Sequence, residues 1–244
     1  MEFAVSAMSP LCATSRAYAF PVPKPAAIVF DVNETLFSLD ALDPVFDEYG
    51  LTGMRDLWFA RTLRTGFALT AMDGYRTFPE VATTEFQLLA PERIDARGMD
   101  SLLQAFASLQ AHRDVAPALQ RLHESGVPMV TLSVGSASNV EKLFHSAGLS
   151  DLIEHHLSCE AVQRWKPAPE PYRFACRFLD CEPKDVAMVA AHSWDIAGAA
   201  AAGMKTAWIS RLEGVFDASF YSADFPGPEL SGVDLLDIVE RLLS

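Results

Sequence analysis

The chain has 244 residues, half of them hydrophobic, with 32 acidic against 19 basic side chains and a formal net charge of −13. This length suffices for one domain with an insertion or for two small domains. The acidic balance and the lack of any Lys/Arg run disfavour nucleic acid and anionic membrane surfaces as partners. No apolar run reaches the roughly 18 residues of a membrane span.

The amino-terminal segment and the cysteines bear on the compartment. Residues 1–24 contain Ala17-Tyr18-Ala19, which resembles a cleavage site, but they lack a basic start, and Pro10 and Arg16 interrupt the apolar stretch. We expect a disordered or over-extended segment there, with export to the periplasm as the alternative.

The cysteines have neither metal-ligand nor redox spacing, which favours reduced thiols in a cytoplasmic protein. They are Cys12, Cys159, Cys176 and Cys181.

The first predicted strand runs from Ala26 to Phe30 and ends at a single carboxylate, Asp31, followed by polar residues that suit a turn. An Asp at the carboxyl end of a buried strand lies where open α/β sheets bind their ligands. The residue two positions later is Asn33 rather than a second acid.

An all-helical insertion is predicted next, because β-rich signals stop for about 80 residues after Asp31. Four segments carry apolar residues at helical spacing. They are residues 40–49, 55–72, 78–90 and 100–111. We assign residues 38–113 to a four-helix cap.

The remainder of the chain alternates helices and strands. Helices are predicted at 115–125, 138–147 and 233–243, and strands at 127–134, 153–158, 186–191 and 206–210. This alternation is typical of a doubly wound parallel sheet. The predicted fold is therefore α/β, with a Rossmann-like core of residues 25–37 and 114–244 and the helical cap inserted after its first strand.

Four polar residues follow predicted strands or lie in loops beside them: Asp31, Ser133, Lys166 and Asp195. Singly, the Asp and Ser residues can be helix caps and a Lys before Pro can be solvated. In this order, on one α/β frame with a helical insertion, they form a far more specific pattern.

Four segments carry a resemblance to a known family: residues 30–37, 132–136, 165–172 and 191–199. Over nearly all of residues 26–244 the chain resembles the haloacid dehalogenase superfamily, and within it the type II (L-2-haloacid) dehalogenases. The Trp194-Asp195 pair and the Gly198-Ala199 that follows are the most specific part. The resemblance implies a hydrolase.

A phosphatase of the same superfamily is disfavoured by two positions. Those enzymes place an acid two residues after the nucleophile, where Asn33 stands, and Gly-Asp at the start of their last motif, where Ala190-Ala191 stand. Asn cannot exchange a catalytic proton, and Asp31 and Asp195 are too few ligands for a Mg²⁺ site. We therefore predict a metal-free site without a cofactor.

The predicted chemistry is attack by the Asp31 carboxylate on the carbon beside a substrate carboxylate, giving an enzyme ester. Lys166 would keep Asp31 ionised. The resemblance implies that Asp195 orients the water that releases a 2-hydroxy acid. The Ser133 hydroxyl and the backbone N–H groups of residues 134–136 would hold the substrate carboxylate. Further candidate substrate-binding residues are Asn33, Thr35, Val134, Leu69, His192 and Trp194.

Three positions depart from the dehalogenases. An ungapped alignment puts Leu69 at their halide-receiving Arg. Arg61 and Arg64 lie on the same helix one or two turns earlier, and they either reach the site through a different helix register or tilt or are solvated. Val134 and His192 stand where the dehalogenases have Asn. His192 can compensate by donating to the leaving group or orienting water, or it can be a satisfied loop histidine.

Alternatives stay open at this point. An amine leaving group would not need the Arg, as in the related azetidine-2-carboxylate hydrolase, which opens a small cyclic amino acid. A phosphatase and a non-catalytic interaction protein are further alternatives. Six apolar and aromatic residues predict a small dry pocket between core and cap: Phe37, Trp58, Phe59, Phe67, Tyr75 and Trp194. The expected partners are a small carboxylic acid and, from the resemblance, a second copy bound through the cap helices.

Overall fold

A computed structural model describes residues 24–153 and 155–244. The expectation of disorder or export for the amino-terminal segment concerns residues that, apart from Lys24, lie outside the described part. Within that part, no helix is both long and apolar enough to cross a membrane. The eight strands described are β1 Ala27–Phe30, β2 Phe37–Ser38, β3 Gln110–Ala111, β4 Met129–Ser133, β5 His155–Ser158, β6 Val186–Ala190, β7 Lys205–Ile209 and β8 Leu230–Gly232.

Nine α-helices are described over the same residues. They are α1 Asp43–Glu48, α2 Arg55–Ala71, α3 Phe78–Gln87, α4 Ala96–Phe106, α5 Val115–Glu124, α6 Ala137–Ser146, α7 Pro169–Phe178, α8 Ser193–Ala201 and α9 Leu235–Leu243. Short 3₁₀ turns, such as Leu39–Leu42 before α1, join several of them.

Six strands form one parallel sheet in the order β5-β4-β1-β6-β7-β8. β1 pairs with β4 on one side, Ile28 opposite Met129, and with β6 on the other, Ile28 opposite Ala187. The chain therefore winds outward from β1 in one direction and returns to start β6 beside it. Such a reversal of strand order opens a crevice at the carboxyl ends of the strands, where Asp31 lies.

The sheet is covered on both faces, as the continuous apolar strands require. Ile28 and Phe30 belong to one apolar cluster and Val29 to a second, because alternate side chains of β1 point to opposite faces. The first cluster continues into the cap helices through Phe46 and Trp58. The predicted α/β fold with a doubly wound parallel sheet is confirmed.

The cap helices α1–α4 follow one another between β2 and β3, which pair antiparallel, Phe37 opposite Ala111. The division into a core and a cap of residues 38–113 stays a prediction. The helix predicted at 100–111 differs most from the structure, because α4 ends at Phe106 and Gln110–Ala111 form β3. α4 begins at Ala96, because the Asp95 side chain caps it by accepting a hydrogen bond from Gly98 N, 3.1 Å.

The cysteines of the described part are unpaired thiols. Cys159 and Cys176 are buried and Cys181 is half-buried. Cys12 lies outside the described residues, and the cytoplasmic location stays a prediction.

Candidate active site

Three residues predicted to be catalytic meet at the carboxyl edge of the sheet. Lys166 Nζ donates to Asp31 Oδ1 at 2.8 Å and to Asp195 Oδ2 at 2.6 Å, and all three side chains are buried. Asp31 directly follows β1, Lys166 lies in the loop before α7, and Asp195 lies in the first turn of α8. The arrangement is a buried cation shared by two carboxylates.

The pKa shifts separate the roles of the two carboxylates. Burial raises the pKa of Asp31, but the charge of Lys166 and the contact with His192 outweigh it and hold that pKa well below its usual range. Burial, together with the negative charge of Asp31, raises the pKa of Asp195. Burial lowers the pKa of Lys166, but the two carboxylates outweigh it and keep the ammonium charged. Asp31 is therefore ionised, as the predicted nucleophile must be, and its catalytic role stays a prediction.

Thr35 supports the nucleophile through its hydroxyl. Its Oγ1 donates to Asp31 Oδ2 at 2.7 Å and accepts from the N–H of Ala191 at 2.9 Å. The hydroxyl thus joins the loop after β1 to the end of β6. The hydroxyl of Thr35 is thus engaged within the protein, and the substrate contact predicted for this residue stays a prediction.

The Lys166 loop is held from the cap. Trp165 N donates to Thr70 Oγ1 at 3.1 Å, and Trp165 Nε1 donates to the carbonyl oxygen of Arg76 at 2.9 Å. Gly66 of α2 allows the ring to approach closely, since a Cβ at this position would lie 2.2 Å from Trp165 Cε3. The packing of α2 therefore positions the segment that carries Lys166.

Tyr172 is a site residue that sequence reasoning missed. Its hydroxyl donates to Asp195 Oδ1 at 2.6 Å, and Lys166 occupies Oδ2. Both carboxylate oxygens of Asp195 are therefore engaged in holding Lys166 and Tyr172, and its water-orienting role stays a prediction. Tyr172 ends the segment 165–172 that carried the resemblance, which was the available signal.

Glu213 is a second missed residue. It lies after β7, and its carboxylate accepts hydrogen bonds from the N–H of Ser193, at 3.1 Å to each oxygen, and from the Ser193 hydroxyl. These bonds cap the start of α8 between His192 and Trp194. No local motif marks Glu213, because its partner is brought to it by the tertiary fold.

The predicted carboxylate cradle lies at the end of β4. Ser133 and Val134 are buried, and Ser133 Oγ accepts from the N–H of Gly135 at 2.9 Å. This N–H is therefore already engaged, a correction to the prediction that residues 134–136 all offer free amides. The Ser133 hydroxyl accepts in that bond, and its contact with a substrate carboxylate stays a prediction.

His192 lies directly against the nucleophile. Its Nδ1 is 3.2 Å from Asp31 Oδ2, and its ring centroid lies 6.0 Å from that of Phe59 and 5.1 Å from that of Trp194. Nε2 is buried and has no hydrogen-bond partner among the described residues. A neutral imidazole that donates Nδ1–H to Asp31 presents the lone pair of Nε2 on its other edge.

A cavity of about 590 Å³ opens beside His192. Its apolar and aromatic lining comprises Leu39, Phe59, Ala60, Leu63, Phe67, Trp194 and Leu212. Trp194 also lies under the Lys166 ammonium, 5.8 Å from Nζ to the ring. A second cavity of about 660 Å³ lies between α6 and β5, away from these groups, so volume alone does not locate the site.

A sequence model of the haloacid dehalogenase-like hydrolases matches residues 25–203. The chain belongs to this family. It is 30% identical to (S)-2-haloacid dehalogenase 1 of Pseudomonas sp. (strain CBS-3), over 80% of this chain and 88% of that protein.

Solved dehalogenases share the fold of this family member. One, described as a dehalogenase with an intermediate complex, is 25% identical with a TM-score of 0.80, covering 91% of this chain and 99% of the other. L-2-haloacid dehalogenase from Xanthobacter autotrophicus, at 22% identity and a TM-score of 0.78 over 91% and 99% of the two chains, shows the fold alone. The relatives support the haloacid interpretation over ring opening of a cyclic amino acid.

On the cap side of the site, the residue of α2 that lies beside His192 is not the one that the ungapped alignment selected. Leu69, predicted at the halide-receiving position, is almost three turns beyond Phe59 along α2, about 15 Å along the axis. It is Phe59 that packs against His192. Arg61 Nε donates to Glu85 at 2.9 Å, and Arg64 lies 3.7 Å from the same carboxylate. Arg61 is therefore paired within the cap and not freely solvated.

Two further predictions concern Asn33 and metal binding. Asn33 is buried and its backbone bridges to Phe37, which places it in the turn after the nucleophile. Among residues 24–153 and 155–244, no group of three or more His, Cys, Asp or Glu side chains is arranged to hold a metal ion. Activity without metal stays a prediction.

Proposed function

We propose that this hydrolase displaces halide from C2 of a 2-haloacid and releases the 2-hydroxy acid without a metal ion. The observation that carries the proposal is the state of Asp31, a buried carboxylate kept ionised by Lys166 at 2.8 Å. Burial strips water from the carboxylate, so that it attacks carbon instead of remaining solvated. The ligand is a small carboxylic acid, and assembly as a homodimer is part of the proposal.

In the first step an Asp31 carboxylate oxygen forms a bond to C2 as the carbon–halogen bond breaks. The halide leaves with the bonding electron pair, and C2 is inverted. The substrate carboxylate lies at the Ser133 hydroxyl, at the end of β4 beside β1. Lys166 balances the negative charges of the site.

In the second step water attacks Cγ of Asp31 and the bond from Cγ to the ester oxygen breaks. That oxygen, originally of Asp31, leaves on C2 of the 2-hydroxy acid, and the water oxygen enters the carboxylate. His192 is positioned for this step, because its Nδ1 contacts Asp31 and its Nε2 faces away from it and orients the attacking water. One proton of that water ends on the former ester oxygen, which becomes the hydroxyl of the product. The other proton is released to solvent as the Asp31 carboxylate is restored.

A single turnover in ¹⁸O-water tests the covalent mechanism. Enzyme in excess over 2-chloropropionate, with EDTA present, is expected to release lactate free of label, and the label is expected in the peptide that contains Asp31. Label in the first lactate would contradict the ester. The isosteric Asp31→Asn variant is the control and should form no product under the same conditions.

Metal dependence is tested in the same assay. Unchanged turnover after EDTA treatment is expected. If EDTA abolished turnover and Mg²⁺ restored it, the metal-free mechanism would be wrong.

A further inference from the structure

The cavity beside His192 has one continuous apolar wall. Phe59, Leu63 and Phe67 recur every four residues along α2 and therefore lie on one face of that helix, and Trp194 and Leu212 lie across from them. The rings of Phe67 and Trp194 are in edge contact, with centroids 5.1 Å apart. We call this space the α2 cavity.

The charged residues of the α2 cavity are engaged elsewhere or lie at its rim. Glu34 accepts a hydrogen bond from Leu39 N at 2.9 Å, and Arg55 donates to Asp40 at 2.6 Å. The side chain of Arg64 is 68% exposed. Acidic and basic groups are both present at the rim. The rim therefore favours neither a positive nor a negative charge on the ligand chain. The composition of the wall favours a hydrocarbon group.

The α2 cavity adjoins the proposed nucleophile through one residue, His192. His192 lines it, packs against Phe59 and Trp194, and has Nδ1 3.2 Å from the nucleophile. A ligand group in the cavity would therefore lie beside the residue that contacts Asp31. The volume of about 590 Å³ lies within the ~300–1,000 Å³ of pockets that enclose drug-sized ligands. A three-carbon acid leaves most of such a space unfilled.

We propose that the α2 cavity is the subsite for the hydrocarbon chain of the substrate, and that this enzyme prefers 2-haloacids with a longer aliphatic or a phenyl-bearing chain over 2-chloropropionate. This inference rests on the proposed haloacid hydrolysis and names the substrate class. Burial of the chain removes apolar surface from water, and the gain grows with each methylene until the space is filled.

The first experiment is a chain-length series with the unmodified enzyme. We expect kcat/KM to rise about fourfold for each methylene added from 2-chloropropionate through 2-chlorobutanoate to 2-chlorohexanoate. A flat or falling series, with 2-chloropropionate turned over, would overturn the inference and leave the proposed function intact.

A pair of variants assigns the effect to the cavity. Ala60 is exposed and lines the cavity, so Ala60→Trp fills it without disturbing the core. This variant should lose the rise in kcat/KM with chain length. Ala71→Trp, at the exposed end of the same helix, is the matched control and should keep it. If both variants kept the rise, the chain would bind elsewhere and the assignment would be wrong.

A binding measurement separates this inference from the proposed function. Hexanoate and propanoate carry no leaving group, so titration calorimetry measures their binding affinity without interference from turnover. We expect hexanoate to bind at least tenfold more tightly than propanoate, with a more negative heat-capacity change. Failure of every 2-haloacid to react would overturn the proposed function, and this comparison would still decide whether the cavity takes a hydrocarbon chain. Equal affinities of the two acids would refute the cavity assignment.

Discussion

Lys166 Nζ lies 2.8 Å from Oδ1 of Asp31, across 135 residues of sequence. Both side chains are buried, so neither charge is tolerable without the other. The pair links the end of β1 to the loop before α7 and keeps the nucleophile ionised. Fold stability and, in the proposed mechanism, catalysis therefore depend on the same contact.

Replacing Lys166 by Met tests this dependence. Without the cation, burial dominates and the pKa of Asp31 rises, so the carboxylate is protonated over a wider range of pH. We expect kcat/KM at neutral pH to fall by about 10³-fold, and the acid limb of its pH profile, which lies below the usual Asp range in the unmodified enzyme, to move to higher pH. Loss of one partner should also lower the free energy of unfolding by about 3–5 kcal/mol.

The control for this variant is Lys184→Met, which removes an exposed lysine. It should leave the profile and the stability unchanged. An unshifted acid limb in a folded Lys166→Met variant would show that Lys166 does not set the ionisation of Asp31.

Thr35→Val removes a hydroxyl with the smallest change in shape. The N–H of Ala191 and Oδ2 of Asp31 both lose their bonds to it. A buried N–H without a partner costs about 1–3 kcal/mol, so we expect a loss of this size in urea unfolding together with reduced kcat. Thr35→Ser keeps the hydroxyl and should recover most of both. Equal behaviour of the Val and Ser variants would argue against the bridging hydroxyl.

Tyr172→Phe tests the hydrogen bond from Tyr172 to Asp195, which the sequence did not predict. Removing the hydroxyl withdraws one hydrogen bond from a buried carboxylate, whose pKa burial already raises. We expect the pKa of Asp195 to rise further and stability to fall by about 1–3 kcal/mol, measured by thermal unfolding and by the pH dependence of kcat. The exposed Tyr221→Phe is the control. Identical pH profiles for both variants would exclude Tyr172 from the network.

The buried thiols give a prediction that does not depend on activity. Burial raises the pKa of Cys159 to about 12 and that of Cys176 to about 11, so at pH 8 both remain protonated and unreactive. Peptide mapping after iodoacetamide treatment at pH 8 should show labelling of their peptides in urea but not in the native protein. Rapid native labelling of the Cys159 peptide would contradict its burial beside the Lys166 loop.

Several features were predictable because they are local. The apolar run of β1 ending at Asp31, the helical spacing of α2 and the alternation after residue 114 each depend on neighbours in the chain. The start of α4 was missed because one capping bond from Asp95 shifts a boundary that periodicity does not define. Leu69 was misplaced because an ungapped alignment counts residues, while the direction of a side chain depends on how α2 packs on the core.

The sequence by itself determined five of the six strands of the parallel sheet, the candidate residues Asp31, Ser133, Lys166 and Asp195, and the resemblance that joins them. It did not predict the short strands β2, β3 and β8. The tertiary structure alone decided that Tyr172 and Glu213 complete the site, and that Phe59 rather than Leu69 faces His192. The physical reason is that hydrogen bonds, burial and pKa shifts arise between groups distant in sequence. The fold brings those groups together and removes water from around them.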